Sequence, residues 1–220
     1  MRDFGKAFSF AFKDPQWFGK FALAALWMLL ALVGIGIVMI AGYLMQLTQR
    51  VIKGEQPELP RWDNLGEKFV LGLKYCIVYI VYLLPVLILM LPVIPLAVTG
   101  GGQDASDVVG VMMVIYLFGV ILIMIPYSLA VSALIPIITY RLAIRERMSD
   151  ALDIGAVFRD FRNNWQNTII VALVAVGLQS FAGIGLLFFG VGIFFTLFYS
   201  YIVSAYLCAV LYRNRMPEAA

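Results

Sequence analysis

Seven carboxylates in two groups, Glu55, Glu58, Asp63 and Glu67, then Asp150, Asp153 and Asp160, are the residues of this chain best placed by type to do chemistry. Brought together in space, such a set could hold divalent ions beside a phospholipid and support two-metal phosphoryl transfer. Their spacing does not ask for it. There is no D-x-x-D-x-x-x-[AG]-R pattern and no glycine loop that would cradle a phosphate. Ion pairs with the neighbouring Arg and Lys residues are the simpler account. The chain has no His, which removes histidine metal sites, general bases and triads. Cys76 and Cys208 lie in different apolar stretches without ligand spacing and read as small core residues. No catalytic residue, metal site or cofactor is therefore expected, nor an enzyme.

The apolar stretches themselves carry no Asp, Glu, Lys or Arg at membrane depth. Ion-coupled carriers keep ionisable groups there, so secondary ion transport is disfavoured, while passage of a neutral or lipidic solute stays open. Pro85, Pro92, Pro95, Pro126 and Pro136 could free carbonyls to line a path. Kinks that shape helix packing account for them more simply. Ser128 with Ser132, Gln179 beside Ser180, Thr196, and Ser200 with Ser204 offer small polar faces that hold helices together. Tyr79, Tyr82, Tyr127, Tyr199 and Tyr201 need partners for their hydroxyls or a place at the interface.

Of the residues, 63% are hydrophobic and 13% charged, the composition of an integral membrane protein. All 16 basic residues fall in four segments: Arg2 to Lys20, Arg50 to Lys74, Arg141 to Arg162, and Arg213 with Arg215. Bases collect on the cytoplasmic side, so each apolar stretch between them should leave and return, with both termini cytoplasmic in a multi-pass protein of the cell membrane. The loop from Gly100 to Asp107 carries only Asp104 and Asp107, as suits the outer side. The basic face suits anionic headgroups. The N-terminus reads as mature, because Asp3, Lys13, Asp14 and Lys20 interrupt anything like a secretory signal.

Three amphipathic helices are predicted at the interface. Phe4, Ala7, Phe8, Ala11 and Phe12 form the first stripe; Leu65, Phe69, Gly72 and Leu73 the second, after a capping-box-like Asn64 and Glu67; Ile154, Val157, Phe158, Phe161 and Trp165 the third, starting near Ser149 and Asp150. Aligned on Gly5, Gly66 and Gly155, each places a Phe three residues on, at Phe8, Phe69 and Phe158. Each following apolar stretch ends on a Tyr: Tyr43, Tyr140 and Tyr206. The pattern is a weak threefold repeat of interfacial helix plus apolar hairpin within a single membrane domain, divided at 1–49, 50–148 and 149–220.

The stretches Tyr75 to Tyr140 and Thr168 to Tyr212 each hold two spans. The first turns at Gly100 and the glycines that follow, the second around Gly183, Gly185, Gly190 and Gly192. Phe21 to Leu47 has 27 residues, a helix of roughly 40 Å. Either Gly34-Ile-Gly36 breaks it into a re-entrant hairpin, giving four full spans beside it, or it is one span of five. The glycines and the basic N-terminus favour the hairpin.

Gly42-Tyr43-Leu44, Arg50-Val51-Ile52-Lys53-Gly54-Glu55, Leu59-Pro60-Arg61-Trp62-Asp63, Phe69 and Gly72-Leu73-Lys74 together resemble the domain-of-unknown-function family four-thousand-and-thirteen, small multi-span membrane proteins of prokaryotes. The resemblance implies no activity and no catalytic residues. Arg61 stands where that pattern usually has an acidic residue, and Gly34-Ile-Gly36 where it has a proline-containing break. Pro57 and Pro60 stiffen the connection and Trp62 could anchor it. Candidate docking or interface residues are therefore Pro57, Pro60, Arg61, Trp62, Phe8, Phe69 and Phe158.

The function expected is a non-enzymatic scaffold organising partners or lipid at the cytoplasmic leaflet; the alternative is a small permease, or permease subunit, for an uncharged or lipidic solute. Expected partners are membrane lipids, anionic ones included, and a protein partner or second copy, with nothing pointing to nucleic acid. Single cysteines at Ser9, Ser106 and Ser149, in a chain lacking Cys76 and Cys208, should label from outside intact cells at Ser106 alone. Labelling at Ser9 as well would mean an external N-terminus and a single first span.

Overall fold

The helices follow from the apolar stretches and their glycine and proline punctuation. The computed structural model describes residues 2–55, 59–100, 107–183, 185 and 192–213. Pro57, Glu58, Asp104, Ser106, Ile184, Gly190 and Arg215 lie outside them. The described residues are all-helical: α1 Arg2–Lys13, α2 Trp17–Leu29 with a short 3-10 turn Leu30–Val33, α3 Ile35–Ile52, α4 Leu65–Met90, α5 Val93–Gly100, α6 Asp107–Arg145, α7 Met148–Leu152, α8 Ile154–Ala182 and α9 Gly192–Arg213. Among the described residues, five helical stretches are long and apolar enough to cross a membrane: Ile35–Ile52, Leu65–Pro95, Val109–Arg145, Ile154–Ala182 and Gly192–Val210. The fold is that of an all-α chain compatible with a multi-pass membrane protein.

The chain divides into two compact units, residues 1–78 with 134–220, and residues 79–133. In the first unit α9 is the central element. It packs against α1, α2, α3 and α8, and Phe198, Ile202, Val203, Tyr206, Leu207 and Val210 are buried along it. Phe10 of α1 stacks on Tyr206 at 4.5 Å, and Tyr199 Oη donates to the Phe8 carbonyl at 2.7 Å. On the α8 side, Ser200 Oγ donates to the Leu178 carbonyl at 3.0 Å and Thr196 Oγ1 to the Ala182 carbonyl at 2.7 Å. The small polar residues at Thr196 and Ser200 thus hold helices together, as in membrane packing generally.

The first apolar stretch breaks at Gly34, whose φ of 85° lies in the left-handed region that only glycine enters freely. The 3-10 turn and α2 then pack back against α3. The hairpin is longer than the apolar count of 27 residues predicts, because it recruits Trp17 to Lys20 at one end and Thr48 to Ile52 at the other. A bend of 96° separates Gly5–Lys13 from Trp17–Val33, so α1 is a distinct helix. The second predicted interfacial segment has no such break: α4 runs continuously from Leu65. In the third, α8 runs on through a kink at Asn164 (φ −130°, ψ 24°).

Two helix starts differ from the sequence reading. Asn64 takes a left-handed backbone (φ 48°), and its carbonyl, at 3.1 and 3.3 Å, accepts from the Glu67 and Lys68 N–H groups. Asparagine tolerates this geometry, which is not that of a capping box. The third helix starts at Ile154 rather than near Ser149, because the Asp153 carboxylate accepts from the Ala156 N–H at 3.0 Å and caps α8. Ser149 and Asp150 sit in the one-turn helix α7.

Helices α3 and α4 meet backbone to backbone. A Cβ on Gly42 would run into the Lys68 carbonyl, and one on Gly72 into the Val38 carbonyl and the Gly42 nitrogen. Glycine at both positions lets the helices approach as small-residue pairs do in membranes. Gly42→Ala or Gly72→Ala should therefore destabilise the protein by about 1–3 kcal/mol or more, read as a lower midpoint of thermal unfolding in detergent. Gly66→Ala, where the added carbon meets open space, should change little.

Candidate functional site

Lys20 lies in the second turn of α2 and would, by sequence, be a cytoplasmic base. It is instead 8% exposed, and its ammonium lies 2.5 Å from the Asp14 carboxylate and 2.6 Å from the Leu59 carbonyl. Asp14 is also buried and accepts from the Gln16 N–H at 2.8 Å. Burial alone would raise the Asp14 carboxyl; hydrogen bonds from Lys20 and Gln16, with the Lys20 charge, outweigh it and hold the carboxyl below the usual aspartate range.

The Leu59-Pro60-Arg61-Trp62-Asp63 segment is gripped at both ends by lysines. Lys20 holds the Leu59 carbonyl, and Lys68, fully buried at the start of α4, donates to the Asp63 carbonyl and faces the Asp63 carboxylate at 3.4 Å. Between these points Trp62 donates its indole N–H to the Lys20 carbonyl at 3.0 Å and stacks on Tyr43 at 4.4 Å. Trp27 and Phe198 stack around it at 6.3 and 6.5 Å. Leu59 is buried in the central core, and Pro60 is buried beside it. The segment therefore ties α2, α3 and α4 together.

Among the predicted interface residues, Pro60 is buried, Trp62 is half-buried in this cluster, and Arg61 is exposed at its surface. Arg61 lines a shallow cleft of about 670 Å³ with Gln16, Gly19, Lys20, Leu23, Trp62 and Asp63. Phe8, Phe69 and Phe158 are exposed on α1, α4 and α8, while the three tyrosines Tyr43, Tyr140 and Tyr206 are buried. Phe10 lay outside the predicted α1 stripe, yet it packs inward with Ala7 and Ala11 while Phe8 and Phe12 face out.

The carboxylates are spread over structural tasks. Asp160 accepts from Arg141 at 2.6 and 2.7 Å, Asp150 faces Arg145 at 3.5 Å, and Glu55 faces Arg50 at 3.8 Å. Asp153 caps α8, Asp63 faces Lys68, and Glu67 stands exposed in the first turn of α4. Among the described residues no group of three or more His, Cys, Asp or Glu is arranged to hold a metal ion. Cys208 is buried and donates to the Pro136 carbonyl at 3.0 Å.

A family model described as a protein of unknown function (DUF4013) matches residues 23–189. The chain belongs to this family. The match takes in the Gly34 break, the Gly42 and Gly72 contact, the Leu59–Asp63 segment and Lys68, so the Lys68 end of the clasp lies within the DUF4013 region. Asp14 and Lys20, together with α1 and all of α9, lie outside it. No curated protein and no solved structure matches this DUF4013 chain.

Leaving Asp14 buried without its cation is costly, so Lys20→Met should lower stability by about 3–5 kcal/mol, with part recovered in Lys20→Met combined with Asp14→Asn. Because the folded Asp14 carboxyl is depressed, the pair contributes fully above the unfolded aspartate value of about 3.9 and loses that contribution as pH falls through the folded value. Unfolding midpoints of the native protein and Asp14→Asn, measured in detergent against pH, should differ at neutral pH and converge only in that acid range.

Proposed function

We propose that this protein is a non-enzymatic scaffold of the cell membrane, organising lipid or partner proteins at the cytoplasmic leaflet through α1 and the first turns of α4 and α8. The observation that carries the reading is the set of exposed aromatic side chains at the helices that open each of the three sequence units: Phe8 and Phe12 on α1, Phe69 on α4, Phe158 and Trp165 on α8. These aromatics stand beside basic residues, which suits the headgroup boundary. The helices that carry them join or pack on the central core, so a force applied at the interface would reach the whole first unit.

Packing inside the second unit supports a static role over the permease alternative. Tyr127 Oη donates to the Tyr82 carbonyl at 2.5 Å, three residues before Pro85, and Tyr116 Oη donates to the Leu89 carbonyl at 2.5 Å, three residues before Pro92. Proline disturbs the helical ladder in the turn before it, and here hydroxyls from α6 occupy carbonyls of those turns. These two hydroxyl–carbonyl bonds commit α4 and α6 to one packing arrangement.

Replacing Phe8, Phe69 and Phe158 together by Ser should leave a folded protein in the membrane but reduce its effect on liposome shape or its assembly in cells. Unchanged liposome shape and unchanged assembly, with normal expression and unfolding midpoint, would sink the scaffold reading. Solute flux in liposomes holding the purified protein would favour the permease.

A further inference from the structure

We propose that the cleft between the start of α2 and the Leu59–Asp63 segment holds the headgroup of an anionic phospholipid, with Arg61 on its phosphate and an acyl chain lying along α2. The inference deepens the scaffold reading by naming the lipid, and rests on that reading only for its biological use. The cleft is lined by Gln16, Gly19, Lys20, Leu23, Arg61, Trp62 and Asp63. Its charges are unequal in what they can do. Lys20 is occupied by Asp14 and the Leu59 carbonyl, and the Asp63 carboxylate faces Lys68. Arg61 is exposed and makes no ion pair or hydrogen bond among the described residues. A guanidinium in that position presents a fork of donors that matches a phosphate.

The backbone carrying Arg61 is fixed on both sides, by Lys20 on Leu59 and Lys68 on Asp63, and Trp62 is locked against Tyr43. Little ordering is left to be done on binding. From the cleft an apolar track leads along one face of α2 and its 3-10 end: Leu23, Leu26 and Leu30 follow Gly19 at helical spacing, and all three are exposed, at 45%, 52% and 40%. A soluble anion would satisfy Arg61 and leave this track unused. A phospholipid satisfies both.

The test is native mass spectrometry of the purified full-length protein in a neutral detergent, with phosphatidylglycerol and phosphatidylcholine supplied in equal amounts. Phosphatidylglycerol should be retained in preference. Arg61→Gln should cut that retention about five-fold, the scale of one basic side chain at an anionic surface, and Leu23→Glu should weaken it with Arg61 intact. Lys53→Gln, at an exposed base outside the cleft, should leave it unchanged. Equal retention of the two lipids, an Arg61→Gln protein indistinguishable from the native one, or equal losses for Arg61→Gln and Lys53→Gln would overturn the proposal. So would displacement of the lipid by inorganic phosphate, which would mark a site for a soluble anion. Retention is read in detergent, so a scaffold role that fails in membranes leaves this result standing, and loss of retention leaves the aromatic test standing.

Discussion

The ammonium of Lys20 sits where three stretches of chain converge, and satisfying it ties the α1–α2 bend to the Leu59–Asp63 segment. A buried cation without partners would cost several kcal/mol, so the Asp14 carboxylate and the Leu59 carbonyl must both be held in reach. Asp14 is fixed at the sharp bend between α1 and α2, and Leu59 at the entrance to the core. The bend therefore has a cause beyond Pro15: it brings the carboxylate to the amine. With Lys20 holding its Leu59 end, the Leu59–Asp63 segment has little freedom left. Lys68 repeats the device at the other end of the same segment.

This clasp and the glycine contact depend on each other. Gly42 and Gly72 allow the α3 and α4 backbones to touch, and the residue whose carbonyl faces Gly42 is Lys68, whose side chain grips Asp63. Tyr43, the next residue after Gly42, supplies the ring on which Trp62 stacks. A larger residue at 42 would thus displace the helix that carries Lys68 and disturb the surface that receives Trp62 at one stroke. The Gly-Tyr pair and the Trp-Asp pair, separate in sequence, are two halves of one packing arrangement.

The helical class and the break at Gly34 were legible because hydropathy and glycine act locally. The length of the first hairpin was not, since its ends are built from residues that look like interface. Lys20 reads as a topological marker until a carbonyl 39 residues away is seen to take its proton donors. The same holds for Gly72, whose role depends on which helix it meets. At the candidate site, Arg61 and Trp62 were singled out together by their motif, and the structure separates them: the indole is turned to the core and the guanidinium outward. The start of α8 went to Asp153 rather than Ser149 because the deciding contact is a single carboxylate with a free N–H three residues on, a competition that several candidate caps in a row leave unresolved.

The distribution of polar groups also bears on what kind of machine this is. A carrier needs groups that can change partners during a cycle, and the polar groups placed in the described helices are mostly committed to one. Ser128 and Ser132 turn back on their own helix at 2.9 Å, Thr168 and Tyr212 share a buried hydrogen bond of 2.5 Å, and the second unit's tyrosines occupy proline-disturbed turns. Breaking any buried one of these leaves an unpaired group away from water, at about 1–3 kcal/mol each. Several such losses in every cycle would demand compensation from a bound solute, and the concave site found in the first unit is an open surface cleft with one outward cation. The scaffold role proposed for this chain asks for no such exchange of partners.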